Sequence, residues 1–172
     1  YINAVRTGAA RQFIHNLHAI PNLEEDTEET WEDGQVETFL TSQVHELFDT
    51  ETTVYDTLRD IQGKLVPRLA ARVHLALSLP NVDISRTHAA GLLYIKGILL
   101  PYIDGFSLSK VQDYAPKSEW QGIVDQAVAI VQIVGDHGIL NKDVSPDSFI
   151  VQRDRSGYYG VFMIDFGLAR LR

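Results

Sequence analysis

The chain has 172 residues, of which 45% are hydrophobic and 22% charged, and it contains no Cys. This composition excludes fibrous and disordered classes, and the missing Cys excludes a disulfide framework and a thiolate metal site. The net charge of −8 argues against a nucleic-acid partner, because a phosphate-binding surface needs clustered Lys and Arg. No apolar run is long enough to span a bilayer and no charged-then-apolar leader opens the chain, so we expect a soluble, intracellular protein without a membrane partner.

Residues 23–37, "LEEDTEETWEDGQVE", are dense in Asp and Glu and show little periodicity. Such a stretch is typical of a solvated loop or linker rather than of packed structure. The alternative is an acidic docking tail for a basic protein partner, which nothing nearby in the sequence favours.

A helix is predicted between Thr41 and Ile61, because apolar residues recur there at steps of three and four. Gly63 supplies its stop. Glu51 lies on the apolar face, one turn before Tyr55, and an acid that faces inward needs a partner. The apolar residues that define this face are Val44, Leu47, Phe48, Tyr55, Leu58 and Ile61.

Two antiparallel strands are predicted next, in "RLAARVHLALSL" at residues 68–79 and "GLLYIKGILLPYI" at residues 91–103. The polar stretch "PNVDISRTHAA" between them is typical of a turn region. We assign no chemistry to His74, because a strand His is more often a core or surface residue than a functional one. "DGFSLSKV" then indicates a short loop that passes into a turn of helix.

The clearest helix signal begins at Ser118, which has Gln121 three residues later in the spacing of a capping box. The apolar pattern that follows continues to Gly138 and is wide enough to predict burial on several sides. Two short strands, "SFIVQ" and "YGVFMID", come next and are joined by the polar turn "RDRSGY".

Two acids flank this predicted hairpin, Asp143 before its first strand and Asp165 after its second. A hairpin returns the chain to its start, so the two flanking loops lie side by side. Neighbouring carboxylates repel unless a cation or a proton relieves them, which makes a divalent metal a natural occupant. The alternatives are a turn or cap role for Asp143 and a strand-end role for Asp165, holding backbone amides.

The stretch "NKDVSPDS" and the triplet "DFG" resemble the catalytic loop H-R-D-x-x-x-x-N and the magnesium motif of the protein kinase-like superfamily. The overall style resembles divergent kinase-like proteins common in fungi. The resemblance implies an α+β, protein kinase-like fold with a partial small lobe and the start of the helical large lobe. It implies a partial small lobe at residues 1–103, with an acidic insertion near 23–37, and a truncated large lobe at residues 104–172.

The resemblance also implies ATP and Mg²⁺ as cofactors and assigns roles to individual residues. Asp143 takes the position of the catalytic Asp, while Asp165 and Ser148 take the positions that hold magnesium. Glu51 takes the position of the Glu that pairs with the nucleotide-binding lysine. The residues that would face adenine lie on the hinge strand "GILLPYIDG" and are Leu100, Tyr102 and Ile103.

The chain also departs from the family pattern. Asn141 and Lys142 replace the His and Arg of the loop, and Ser145 stands where serine/threonine kinases often have Lys. No Gly-rich phosphate loop is found, and "NAVRT" offers Arg6 where a strand lysine would stand. We therefore expect a divergent kinase-like domain that binds Mg-ATP and transfers phosphate to protein Ser or Thr. The alternatives are a pseudokinase or interaction module without catalysis and, second, a small-molecule phosphotransferase.

Overall fold

The computed structural model describes residues 1–76 and 93–172, which form a mixture of helices and short strands. The mixed α+β class predicted from the sequence is confirmed. The chain divides into two compact units. The first unit comprises residues 1–46 and 73–97, and the second unit comprises residues 47–72 and 98–172. The predicted lobes at 1–103 and 104–172 stay a prediction, and the predicted turn at residues 80–90 lies outside the described residues.

The first unit begins with three helices, which are α1 (Ile2–Thr7), α2 (Ala9–Ala19) and α3 (Leu23–Thr27). Gly8 joins the first two at a φ of 83°, a left-handed conformation that glycine adopts without a steric penalty. The prediction that "NAVRT" is a strand remnant is wrong, because Arg6 lies in α1 and donates a hydrogen bond to Asn3 Oδ1 (3.0 Å).

The acidic segment at residues 23–37 is helical, so the prediction of a loop or linker there is wrong. It contains α3, a short 3₁₀ turn and the first residues of α4 (Asp33–Thr57). Its acidic side chains are exposed, but Trp31 packs between Phe13 and Phe39 with ring centroids 5.2 and 5.1 Å away. The aromatic contacts hold a strongly charged segment in regular structure.

Helix α4 was predicted from Thr41 to Ile61 and runs from Asp33 to Thr57. Its last turn carries the fully buried Val54 and Tyr55, and Leu58, just past its end, is also fully buried. The prediction that Gly63 stops this helix is wrong, because α4 ends at Thr57 and Gly63 lies in a later turn, at a φ of 76°. The last turn of α4 therefore forms part of the core of the second unit.

Strands β1 (Ala71–Ala76) and β2 (Tyr94–Leu99) pair with each other, as the sequence predicted. After β2 the chain continues without regular structure to β3 (Phe106–Ser107). A 3₁₀ turn and the short helix α5 (Val111–Tyr114) follow, which matches the predicted loop and turn of helix.

Helix α6 spans Trp120–Asp136. Only one face is buried, so the prediction of burial on several sides is wrong. The predicted capping box is also wrong, because Ser118 lies in a 3₁₀ turn that precedes α6, and Gln121 donates to Asp125 Oδ1 within the helix (2.8 Å). The buried residues of α6 are Ile123, Ala127, Ile130 and Val134, and the exposed valines are Val124, Val128 and Val131.

The predicted hairpin is confirmed as β5 (Phe149–Arg153) and β6 (Tyr159–Met163), which pair antiparallel. In its turn, Asp154 Oδ1 accepts hydrogen bonds from the backbone amides of Ser156 (2.8 Å) and Tyr158 (2.9 Å). β3 pairs with the other edge of β5, which gives a three-stranded sheet packed against α6.

A second antiparallel pair lies beside the hairpin, formed by β4 (Ile139–Asn141) and β7 (Ala169–Leu171). Together the two pairs fix the chain on both sides of two loops, at residues 142–148 and 164–168. Across residues 1–76 and 93–172, no helix has both the length and the apolar character needed to cross a membrane.

Candidate functional site

The two loops that carry Asp143 and Asp165 lie side by side. At one end of the loops Asn141 is opposite Ala169, and at the other end Phe149 is opposite Met163. The Ile164 amide also donates a hydrogen bond to the Ser148 carbonyl oxygen (2.8 Å). The hairpin therefore brings the loops of the two predicted site acids together, as its geometry required.

The side chain of Asn141 connects the two loops directly. Its Nδ2 donates to the Asp165 carbonyl oxygen (2.9 Å), and its Oδ1 accepts from the Asp143 backbone amide (3.1 Å). Sequence reasoning treated Asn141 only as a departure from the family pattern and missed this role. The available signal was that one side-chain amide carries both a donor and an acceptor, so it can bridge two backbones.

Asp143 and Ser148 occupy the same loop but have different environments. The Asp143 side chain is exposed, whereas Ser148 is only 4% exposed. The Ser148 hydroxyl donates to the Asp143 carbonyl oxygen (3.0 Å) and accepts from the Ser145 amide (3.1 Å). These bonds engage its proton and one of its lone pairs. Its role as a metal ligand stays a prediction.

Asp165 has a φ of 66°, in the left-handed region that residues with a Cβ rarely adopt. The surrounding contacts hold it there, because its carbonyl is bound by Asn141 and the Ala169 amide bonds the Phe166 carbonyl (3.0 Å). Its side chain is exposed. Strained non-glycine residues of this kind cluster at ligand and active sites, where the neighbouring structure must over-determine them.

One face of α4 packs against the segment that follows Asp165. A Cβ built on Gly167 would lie 3.4 Å from Leu47 Cδ2, and the Phe166 and Tyr55 rings meet edge to face with centroids 5.7 Å apart. Leu47, Glu51 and Tyr55 are spaced four residues apart and therefore share this face. Glu51 thus lies between the two contacts and opposite Asp165–Gly167.

The surroundings of Glu51 in this contact disfavour the ionised form of its carboxyl group. Burial raises the pKa of Glu51, the Phe166 backbone N–H opposes this rise, and the charge of Asp165 adds to it. Burial also raises the pKa of the Tyr55 hydroxyl, and the charges of Glu51 and Asp165 raise it further. In the described part of the chain, no ion pair joins Glu51 to a Lys, Arg or His.

The predicted adenine-facing residues lie between β2 and β3. Leu100 is half-buried against the core of the second unit, Ile103 is half-buried, and Tyr102 is 87% exposed. Gly105 closes this stretch at a point where a Cβ would collide with the Val151 carbonyl. The segment must therefore approach β5 closely, which only a residue without a Cβ allows.

Asp147 links this segment to the loop of Asp143. Its Oδ1 accepts hydrogen bonds from the hydroxyls of Ser107 (2.6 Å) and Ser109 (2.5 Å), and these bonds lower its pKa. The chain after the predicted adenine segment is thereby tied to the loop that carries Asp143.

A search against models of known protein families finds no match for this chain. Within residues 1–76 and 93–172, no group of three or more His, Cys, Asp or Glu side chains is arranged to hold a metal ion. A metal at this site would therefore take one or two carboxylates from the protein and complete its coordination with other oxygens, as Mg²⁺ commonly does.

Proposed function

We propose that the chain is a kinase-like phosphotransferase domain that binds ATP with Mg²⁺ between the loops of Asp143 and Asp165. The observation that carries the proposal is the Asn141 side chain, which holds the backbones of both acids at once. Two exposed acids on loops that are held side by side suit a charged ligand that needs a cation. The proposed kinase-like fold draws support from the order of α4, the strand pair, α6 and the hairpin.

The residues present fit this ligand. Asp165 offers an exposed hard-oxygen ligand on a strained, well-anchored loop, which is the donor type that Mg²⁺ prefers. When bound, Mg²⁺ neutralises charge on the phosphate groups. Asp143 would orient the substrate hydroxyl and take its proton, because its carboxylate is exposed and its amide is fixed by Asn141.

The proposal extends to the substrate and the nucleotide base. A protein Ser or Thr hydroxyl would approach Asp143 from solvent, and the stretch containing Leu100, Tyr102 and Ile103 would contact adenine. The link from Asp147 to Ser107 and Ser109 supports this assignment, since it ties the chain just after that stretch to the loop of Asp143.

A second candidate is an interaction module that keeps the nucleotide site without phosphoryl transfer. Two observations favour it. Ser145 supplies no positive charge near the transferred group, and Glu51 has no cationic partner among the described residues. Stabilisation of charge in the transition state would suffer from both.

Titration of the protein with ATP, with and without Mg²⁺, tests the proposed function. We expect magnesium-dependent binding by the wild type, loss of that binding in Asp165→Ala, and unchanged binding in the control Asp113→Ala, which alters an exposed acid on α5. Equal binding by the wild type and Asp165→Ala, or binding by neither, would end the proposal. Phosphate transfer that is lost in Asp143→Asn would then exclude the interaction module.

A further inference from the structure

We infer that Glu51, rather than Ser148, supplies the second protein ligand of the metal site, and that the buried Tyr55 hydroxyl binds a water of the metal ion. The inference rests on the proposed function, because it names the partner of Asp165 in that site. It concerns a contact between α4 and the Asp165–Gly167 segment that sequence reasoning did not anticipate.

Glu51 lies on the face of α4 that packs against the Asp165–Gly167 segment. Gly167 contacts Leu47 at one end of the α4 face, and Phe166 contacts Tyr55 at the other. Glu51 lies between them, one turn from each, on the helix face that is turned toward the segment beginning at Asp165. Asp165 Oδ1 lies 3.9 Å from the same Cβ position on Gly167 that contacts Leu47, so the Asp165 carboxylate is beside the α4 face that carries Glu51.

The Tyr55 hydroxyl lies close to the same site and lacks a hydrogen-bond partner among the described residues. Tyr55 is also fully buried. A buried hydroxyl without a partner is destabilising, since it loses its bonds to water and gains none in return. Tyr55 lies one turn after Glu51 and against Phe166, so a bound water that bridges Tyr55 Oη to an ion held by Glu51 and Asp165 would satisfy it.

The negative charges of Glu51 and Asp165 also favour a bound cation. Glu51 is half-buried and has no cationic partner in the described part of the chain, while Asp165 adds a second negative charge. Two neighbouring negative charges, one of them half-buried, repel unless a cation or a proton relieves them. A divalent ion with two carboxylate ligands removes this repulsion and leaves positions for water and phosphate oxygens.

Ser148 is less suited than Glu51 to bind the metal. The Ser148 hydroxyl is buried, donates to the Asp143 carbonyl and accepts from the Ser145 amide. These bonds leave a metal only one lone pair on this buried oxygen. The Glu51 carboxylate accepts the Phe166 backbone N–H, which leaves further lone pairs on its two oxygens for a metal.

Titration of the protein with Mn²⁺ alone, followed by the electron paramagnetic resonance signal of free Mn²⁺, tests the inference. We expect Glu51→Gln to weaken Mn²⁺ binding by about a hundredfold and Tyr55→Phe to weaken it by about tenfold, in the range seen when metal ligands and their hydrogen-bond partners are altered. Ser148→Ala should bind as the wild type does. The control Glu119→Gln, an exposed acid at the start of α6, should also be unchanged.

Normal Mn²⁺ affinity in both Glu51→Gln and Tyr55→Phe would overturn the inference, as would a wild type that binds no Mn²⁺. Tyr55→Phe keeps the ring and its contact with Phe166, so it supports or refutes the inference even where Glu51→Gln alters folding. If Glu51→Gln still binds ATP in the presence of Mg²⁺ and binds Mn²⁺ as tightly as the wild type, this inference is wrong and the proposed function stands. Failure of the wild type to bind Mg-ATP would refute the proposed function itself.

Discussion

Asn141 shows how one side chain can organise the candidate site. Its amide joins the backbones of Asp143 and Asp165 through one donated and one accepted hydrogen bond. Comparison with the family pattern alone marks Asn141 as a departure and does not reveal that its side chain joins the two loops. Reading it as a donor and an acceptor placed between two loops would have revealed it.

Replacing Asn141 by Ala tests this organising role. We expect the free energy of unfolding in urea to fall by about 1 kcal/mol, the typical net value of partly exposed hydrogen bonds. Asn141→Asp should also destabilise, because a carboxylate cannot donate to the Asp165 carbonyl. The exposed neighbour Lys142→Ala serves as the matched control. Wild-type stability in Asn141→Ala would contradict the role.

Glu51 should make the stability of the metal-free protein depend on pH. Burial raises its pKa in the folded state above the ordinary value of 4.5, so the folded state prefers the protonated form. Its contribution is fully present below pH 4.5 and is lost as pH rises through the raised folded pKa. Glu51→Gln lacks this loss, so in a chelating buffer its Tm should exceed that of the wild type at pH 8.

The same comparison at pH 4 provides the control, because there the wild-type carboxyl is protonated and resembles the amide. The gap in Tm between Glu51→Gln and the wild type should therefore shrink as the pH is lowered. A Tm for Glu51→Gln at pH 8 that equals or falls below that of the wild type would contradict the unfavourable burial of this charge.

At the scale of elements, the end of α6 is fastened to the turn after α4 by one histidine. His137 bonds the Ile133 carbonyl through Nδ1 (2.8 Å) and faces both Asp60 carboxylate oxygens through Nε2 (3.2 Å). Both ring nitrogens face acceptors, which the doubly protonated ring satisfies best. The Ile133 carbonyl and then Asp60 raise the pKa of His137, and His137 lowers the pKa of Asp60.

This pair should stabilise the protein most in mildly acidic solution. The His137 contribution is present below pH 6.5 and is lost as pH rises through its raised pKa, and the Asp60 contribution is lost as pH falls below 3.8 through its lowered pKa. The charge of Lys64 also lowers the pKa of Asp60, and the charge of Asp136 also raises the pKa of His137.

Thermal melts of the wild type and Asp60→Asn at pH 5.5 and 8.5 check this expectation. The variant should melt lower at pH 5.5, by on the order of 2 °C for an exposed pair, and close to the wild type at pH 8.5. An equal gap at both pH values would show that the pair does not titrate as described.

The elements also show which sequence signals were sufficient. The hairpin was predictable because alternating strands flank a polar turn, and its register brings together the loops of Asp143 and Asp165. The start of α4 was not, because its acidic first residues resemble a loop until Trp31 is seen packing on Phe13 and Phe39. The spacing of Ser118 and Gln121 misled because a 3₁₀ turn, not a side-chain cap, begins α6.

At the scale of the whole molecule, every predicted site residue belongs to the second unit. Local patterns placed Asp143 and Asp165, since both lie beside one hairpin. They could not place Glu51 against Phe166 or leave Tyr55 Oη unpartnered, because those contacts join residues far apart in the chain. Tertiary packing of this kind depends on side-chain shapes that periodicity does not encode.

The central claim is that Asp143 and Asp165 share one magnesium nucleotide site. A crystal structure of the protein with Mg²⁺ and a non-hydrolysable ATP analogue tests it most directly. The account predicts a metal about 2.1 Å from an Asp165 carboxylate oxygen, with the phosphates between the two loops. Nucleotide bound elsewhere, or a metal that Asp165 does not touch, would contradict it.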